Sequence, residues 1–294
     1  DLYQADAVQR LNHIYQGGIT AFIKPERQTT RLAHSRGVAA VLQRLGAGIV
    51  EQAAGLVHDV PHTAFSHVVN FVFPNADHTY HENHRERVIQ DSALPQILNA
   101  HHLDWRMVTE AENFTLLEQP LPLLCADRLD YFLRDGIVDV GTFSQADGER
   151  LLHHLQVVEG MIAVDDITVA RWLGEQFIRL DDICWCSIQE VGWYAVMAQA
   201  LQAAIAYGVI AEEDFAGVDR DIMAKLKAAR VPDIDRWLGL LRPDVDFVRV
   251  PPDADHDLVA LPKVRAIDPP VIIDHTTRRL SQIDADFAQR RDRY

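Results

Sequence analysis

His58 and Asp59 stand side by side in H-D-V-P-H-T-A-F-S-H (58–67), a nitrogen donor and an oxygen donor on consecutive residues. On a regular helix neighbouring side chains point about 100° apart, so both reach one ion only at a helix end or in a distorted turn. Pro61 supplies a reason for distortion, because its ring disfavours regular helix at Val60. His34 upstream and Asp127 downstream could complete a mixed nitrogen and oxygen shell. Such a shell suits Mn, Fe, Co, Ni or Zn better than a purely oxygen-seeking ion, with Mg also admitted. Ten of the 14 histidines fall between His13 and His102, so chemistry is sought in that stretch. His62 lies four residues after His58, where helical geometry brings the two near one another, and Arg31 shares a helix face with His34 three residues on. Asp127, Tyr131 and Asp135 recur at helical spacing on another face.

These residues need elements to position them, and the patterning of the first two thirds is helical. Val38, Val41, Leu42 and Leu45 predict a helix from Arg31 to Leu45, broken by Gly46 and Gly48. A buried helix is expected over Ile49–His58, another over His62–Phe73 stopped by Pro74, and another over Leu123–Asp135 with Gly136 as its end signal. A long helix is expected from Gly174 to Tyr207. Leu155–Val158 and Met161–Val164 flank Glu159-Gly160 and read as a small hairpin, while Asp246–Val250 and Val271–Asp274 could pair as short strands. The expected fold is mainly α, a helical domain over residues 1–210 with a small mixed α/β C-terminal extension over 211–294.

Composition narrows the function. The 294 residues carry 28 Lys+Arg against 43 Asp+Glu, a net charge of -15, and no basic block, so duplex nucleic acid and anionic membrane are poor partners. No apolar run approaches the roughly 20 residues of a membrane span. Three cysteines are too few and too odd in number for a disulfide framework, which favours a reducing cytoplasm. Cys184-Trp-Cys186 has no second pair to complete a thiolate site and is expected to pack in a helix.

The stretches R-L-A-H-S (31–35), H-D-V-P-H-T-A-F-S-H (58–67), Y-H-E-N-H (80–84) and D-R-L-D-Y-F-L-R-D (127–135), in this order, resemble the HD superfamily of metal-dependent phosphohydrolases. The nearest subgroup is that of the dNTP triphosphohydrolases, including the SAM-and-HD-domain enzyme. The resemblance implies an HD-type helical bundle in which His34, His58, Asp59 and Asp127 hold one divalent metal. It also implies that His62, His67 and His81 line the reacting phosphate. His81 pairs with Glu82, a carboxylate that would orient the ring and raise its pKa for general-acid work. Arg31 would hold a phosphate oxygen, and Tyr131 and Asp135 would lie beside the sugar. The substrate implied is a small phosphorylated metabolite, foremost a nucleotide, and the relatives often assemble as homo-oligomers.

One departure bears on that substrate. The dNTP enzymes carry a basic set on a later long helix, and the matching stretch here, Phe177–Val191, places Glu190-Val191 where His-Lys would fall. Between Arg150 and Arg220 the only arginines or lysines are Arg171 and Arg179. A triphosphate normally needs several cationic partners, so hydrolysis of a phosphate ester moves ahead of triphosphate release. A non-catalytic nucleotide sensor of the same fold is the rival from another class.

Overall fold

A computed structural model describes residues 1–73, 80, 84–110 and 113–294. The longer elements, in chain order, are α1 (Arg31–Arg44), α2 (Ile49–Val57), α3 (Ala126–Arg134), β1 (Leu155–Val158), β2 (Met161–Val164), α4 (Ile167–Leu180), α5 (Ile188–Ala206), α6 (Asp219–Ala229), β3 (Pro270–Ile273), β4 (Thr276–Arg279) and α7 (Ala285–Arg293). Further helices, Gln145–His153 and Pro232–Leu238 among them, and helical turns connect them. The mainly helical expectation with a small mixed sheet is met. Among the described residues no helix is long and apolar enough to cross a membrane.

The chain forms two compact units. The first comprises residues 1–33, 59–98 and 186–262; the second comprises 34–58, 99–185 and 263–294. In the first, α5 is apolar around most of its circumference, as a helix buried on all sides must be. Trp193, Met197 and Leu201 on α5 pack into one cluster with Ile19, Phe65, Val68, Phe215 and Leu226. Ser187 caps α5 by accepting the Glu190 N–H.

In the second unit, Val38 and Leu42 of α1 are fully buried. Gly55 of α2 comes so close to α1 that an added Cβ would sit 2.6 Å from Leu42 Cδ1. The sheet runs β1-β2-β3-β4. The predicted hairpin forms with Leu155 opposite Val164, β2 runs parallel to β3, and β3 turns back antiparallel onto β4. Phe132 of α3 stacks on Phe177 of α4 at 5.6 Å.

Four local expectations need correction. Residues 62–73 are not one helix: Phe65 and Ser66 both have positive φ, 59° and 51°, and only Val69–Val72 is α-helical. Gly136 does not end a helix, because the chain runs from α3 into a π-helical turn over Asp135–Asp139. The helix expected over 174–207 is α4 and α5, separated by a second π-helical turn at Asp181–Trp185. Asp246–Val250 forms no strand; the partner of Val271–Ile273 is the polar run Thr276–Arg279 instead.

Candidate metal centre

Helix α2 ends at Val57 with His58 as its C-cap, and the chain then turns through residues 58–61. The His-Asp pair therefore falls at a helix end, where both side chains can turn toward one place. His34 sits in the first turn of α1 and Asp127 in the first turn of α3.

Within the second unit the two imidazoles converge on one oxygen. His34 Nε2 is 2.8 Å and His58 Nε2 is 3.6 Å from Asp127 Oδ1, with the ring centroids 5.3 Å apart. The opposite edge of each ring is already committed. His34 Nδ1 lies 2.8 Å from Asp130 Oδ2, and His58 Nδ1 donates to the Gly55 carbonyl at 2.8 Å. Each ring thereby turns Nε2 toward Asp127, in the way a carboxylate or carbonyl behind a histidine fixes tautomer and orientation. Asp130 is fixed in turn by Arg134, whose Nε and Nη2 reach its two oxygens at 3.1 and 2.9 Å. Burial pushes the Asp127 carboxyl up, but His34 and His58 outweigh it and hold the group well below the usual carboxylate range. Two imidazoles and a carboxylate fit a divalent transition ion by donor type.

Within the first unit Asp59 is buried, accepting Arg31 Nη1 at Oδ2 (3.0 Å) and facing His62 Nε2 at Oδ1 (3.3 Å). Arg31 also donates through Nε to Ser66 Oγ at 3.0 Å, and Ser66 Oγ donates to the Tyr15 carbonyl at 2.6 Å. The His62 and His67 rings meet edge to face with centroids 5.1 Å apart. His62 thus reaches Asp59 through a turn rather than His58 through a helix, because residues 58–61 have left the helix. His81 and Glu82 lie outside the described residues.

Tyr131 and Asp135 lie in the second unit beside Trp185. The Tyr131 and Trp185 rings meet edge to face at 5.0 Å, and Trp185 Nε1 donates to Asp135 Oδ2 at 2.7 Å. Burial and the neighbouring Asp139 push the Asp135 carboxyl up to about 7, against the lowering effect of the Trp185 N–H. Asp130 and Trp185 were not singled out as site residues from sequence. The signal for Asp130 was its spacing in D-R-L-D (127–130), whereas Trp185 reaches Asp135 only through the fold.

Imidazole and carboxylate donors gathered at helix ends in a helical protein make a candidate metal centre. The HD domain profile matches residues 31–135. The chain is 37% identical over 276 residues to the uncharacterised protein YdhJ of Bacillus subtilis, covering 93% of this chain and 84% of that one. It is 32% identical over 279 residues to the metal-dependent phosphohydrolase cns2 of Cordyceps militaris, covering 92% and 79%. The fold is shared with a phosphohydrolase from Bacteroides thetaiotaomicron at TM-score 0.59 and 19% identity, over 81% of this chain and 70% of that one. It is also shared with a hypothetical protein from Aquifex aeolicus at TM-score 0.70 and 18% identity, over 98% and 88%. The chain belongs to the HD-domain family of metal-dependent phosphohydrolases.

Proposed function

We propose that the protein hydrolyses a phosphate ester of a nucleotide or another small phosphorylated metabolite, using one divalent transition metal held by His34, His58, Asp59 and Asp127. The observation that carries this reading is the pair of Nε2 atoms aimed at one Asp127 oxygen, each ring tied back through Nδ1. Once bound, such an ion polarises a phosphoryl oxygen and lowers the pKa of a water. His62 and His67 face the phosphate, and His81, oriented by Glu82, protonates the leaving oxygen. Arg31, held against Asp59, offers charge to a phosphoryl oxygen, while Tyr131 and Asp135 line the substrate's organic portion.

Two further observations favour one metal and a lightly charged substrate. Asp127 belongs to a second donor group with Glu118 and Cys125, but Arg128 lies 3.1 Å from Cys125 Sγ and 3.8 Å from Glu118. A guanidinium against two of that group's three donors opposes a second cation, whereas in the proposed set only Asp59 meets one, Arg31. Glu190 is buried and paired with Lys24 at 3.3 Å and Arg27 at 2.5 Å, with Thr20 donating to its other oxygen. Those two cations are committed inside the protein, so a triphosphate finds fewer partners. A homo-oligomer in a reducing cytoplasm completes the proposal, and sedimentation velocity tests the assembly.

The decisive assay loads purified protein with Mn, Fe, Co, Ni or Mg and screens phosphorylated metabolites beside Asp59→Ala. Release of inorganic phosphate from a monoester, absent in the variant, is the expected result. Release of triphosphate from dNTPs would transfer the reading to triphosphohydrolysis, and no turnover under any loading would end it.

A further inference from the structure

The segment from Asp59 to His67 carries Asp59, His62 and His67, three of the side chains that the proposed reaction uses, yet none of it is α-helix. Its main chain is held from outside by two charged residues distant in sequence. Arg10 donates through Nη2 to the carbonyls of Val60 (2.8 Å) and His62 (2.7 Å), and through Nη1 to those of Ala216 (3.0 Å) and Gly217 (2.9 Å). Asp219, fully buried at the start of α6, accepts the main-chain N–H of Phe65 at Oδ1 (2.7 Å) and of Tyr15 at Oδ2 (2.8 Å). The Ala64 N–H adds a bond to the Phe215 carbonyl at 2.9 Å.

The attachment points bracket one residue. Arg10 grips the carbonyl of His62 itself, and Asp219 grips the N–H of Phe65 three positions on. At and just after the Asp219 grip the backbone is strained, since Phe65 and Ser66 are non-glycine residues in the left-handed region. Such conformations persist only where the surroundings over-determine them. Charge-assisted bonds to main-chain groups are among the strong ones available for that task.

Both charges occupy places that disfavour them. Burial lowers the Arg10 guanidinium to about 10 against the raising effect of Asp219. Burial likewise raises the Asp219 carboxyl to about 7 against the Tyr15 and Phe65 N–H groups. Apolar side chains would fill the same volume without that cost, but they could not hold carbonyl and N–H groups at fixed positions.

We propose that Arg10 and Asp219 are positioning residues for His62, fixing its backbone so that the ring sits 3.3 Å from Asp59 and edge-on to His67. The inference rests on the reading of His62 as a phosphate-facing group. Neither brace residue is required to touch substrate.

Arg10→Lys and Asp219→Asn test it in the full-length chain. Lysine keeps the charge but cannot span both carbonyl pairs. Asparagine keeps the volume but turns an amide N–H toward one of the two main-chain donors. Ring proton–carbon correlations of His62 and His67, assigned through His62→Gln and His67→Gln, are recorded on metal-free protein. Turnover is measured after loading with manganese, on whichever phosphomonoester wild type hydrolyses. Both variants are expected to shift or broaden the His62 signal. They are expected to lower kcat at least about tenfold with KM within about twofold and with wild-type manganese content per chain. Should Asp219→Asn not fold, Arg10→Lys, which can keep one carbonyl pair, carries the test. A folded variant whose His62 signal coincides with wild type overturns the proposal, as does a shifted signal with unchanged kcat. If wild type turns over no phosphomonoester, the functional reading fails while the ring signals still decide the brace.

Discussion

The protein holds its proposed site residues in two different ways. In the second unit, His34 and Asp127 sit on regular helices and are fixed side chain to side chain. Asp130 backs His34, Arg134 backs Asp130, and both imidazoles turn to one carboxylate oxygen. In the first unit, Asp59, His62 and His67 sit on irregular chain, and Arg10 and Asp219 fix the main chain beneath them. A helix supplies its own backbone geometry, so only side-chain orientation needs partners. A turn supplies none, and its partners must bind carbonyls and N–H groups first.

The comparison can be broken most severely at the oxygen where both rings converge. Asp127→Asn or His34→Ala should abolish metal retention, read by elemental analysis, and lower turnover by at least about a thousandfold, since a divalent ion supplies several kcal/mol of transition-state stabilisation. Asp130→Asn touches neither Asp127 nor the His58 ring. Its effect should be a roughly 10- to 100-fold weaker metal affinity by competition titration, the usual cost of losing a partner behind a ligating histidine. Unchanged affinity would mean that α1 alone orients His34. Gly37→Ala probes the same support sterically, because a Cβ there would lie 1.7 Å from Asp130 Oδ1 and 2.3 Å from Arg134 Nη2. The Asp130–Arg134 pair must then move, with a stability loss of about 1–3 kcal/mol in denaturant unfolding.

The smallest effect is one of pH. Asp135 has its carboxyl raised to about 7, whereas an unfolded aspartate titrates near 3.9. Between those values the folded chain binds the proton more tightly, so this group's contribution to stability is complete at low pH and lost as pH rises through about 7. Asp135→Asn should flatten the fall in melting temperature between about pH 4 and pH 7. It should not remove the fall, because Asp219 and Glu118 are also raised to about 7 by burial and act with the same sign.

The two ways of holding residues were unequally legible in the sequence. His34 on α1 and the end of α2 at His58 follow from apolar spacing and from Pro61, because a helix reports itself through periodicity. The placement of His62 did not, since an apolar pattern over 62–73 looks helical while the positive φ angles of Phe65 and Ser66 leave no mark on composition. Both π-helical turns were invisible for a related reason: one extra residue in a turn leaves the residues on either side as good helix formers. The strand Thr276–Arg279 lacks apolar alternation altogether, because only its backbone pairs with Pro270–Ile273. Asp130 could have been suspected beside Asp127, but its role depends on His34, 96 residues away.

Arg10 reads main-chain oxygens and no side chain at all four of its attachment points. The residues at 60, 62, 216 and 217 are therefore free to change, as far as this grip is concerned, so long as each still presents its carbonyl. In a lineage of such proteins the turn could drift in composition while its shape was inherited through one arginine. The opposite change, a single exchange of that arginine, would leave every letter of the turn intact and alter its form.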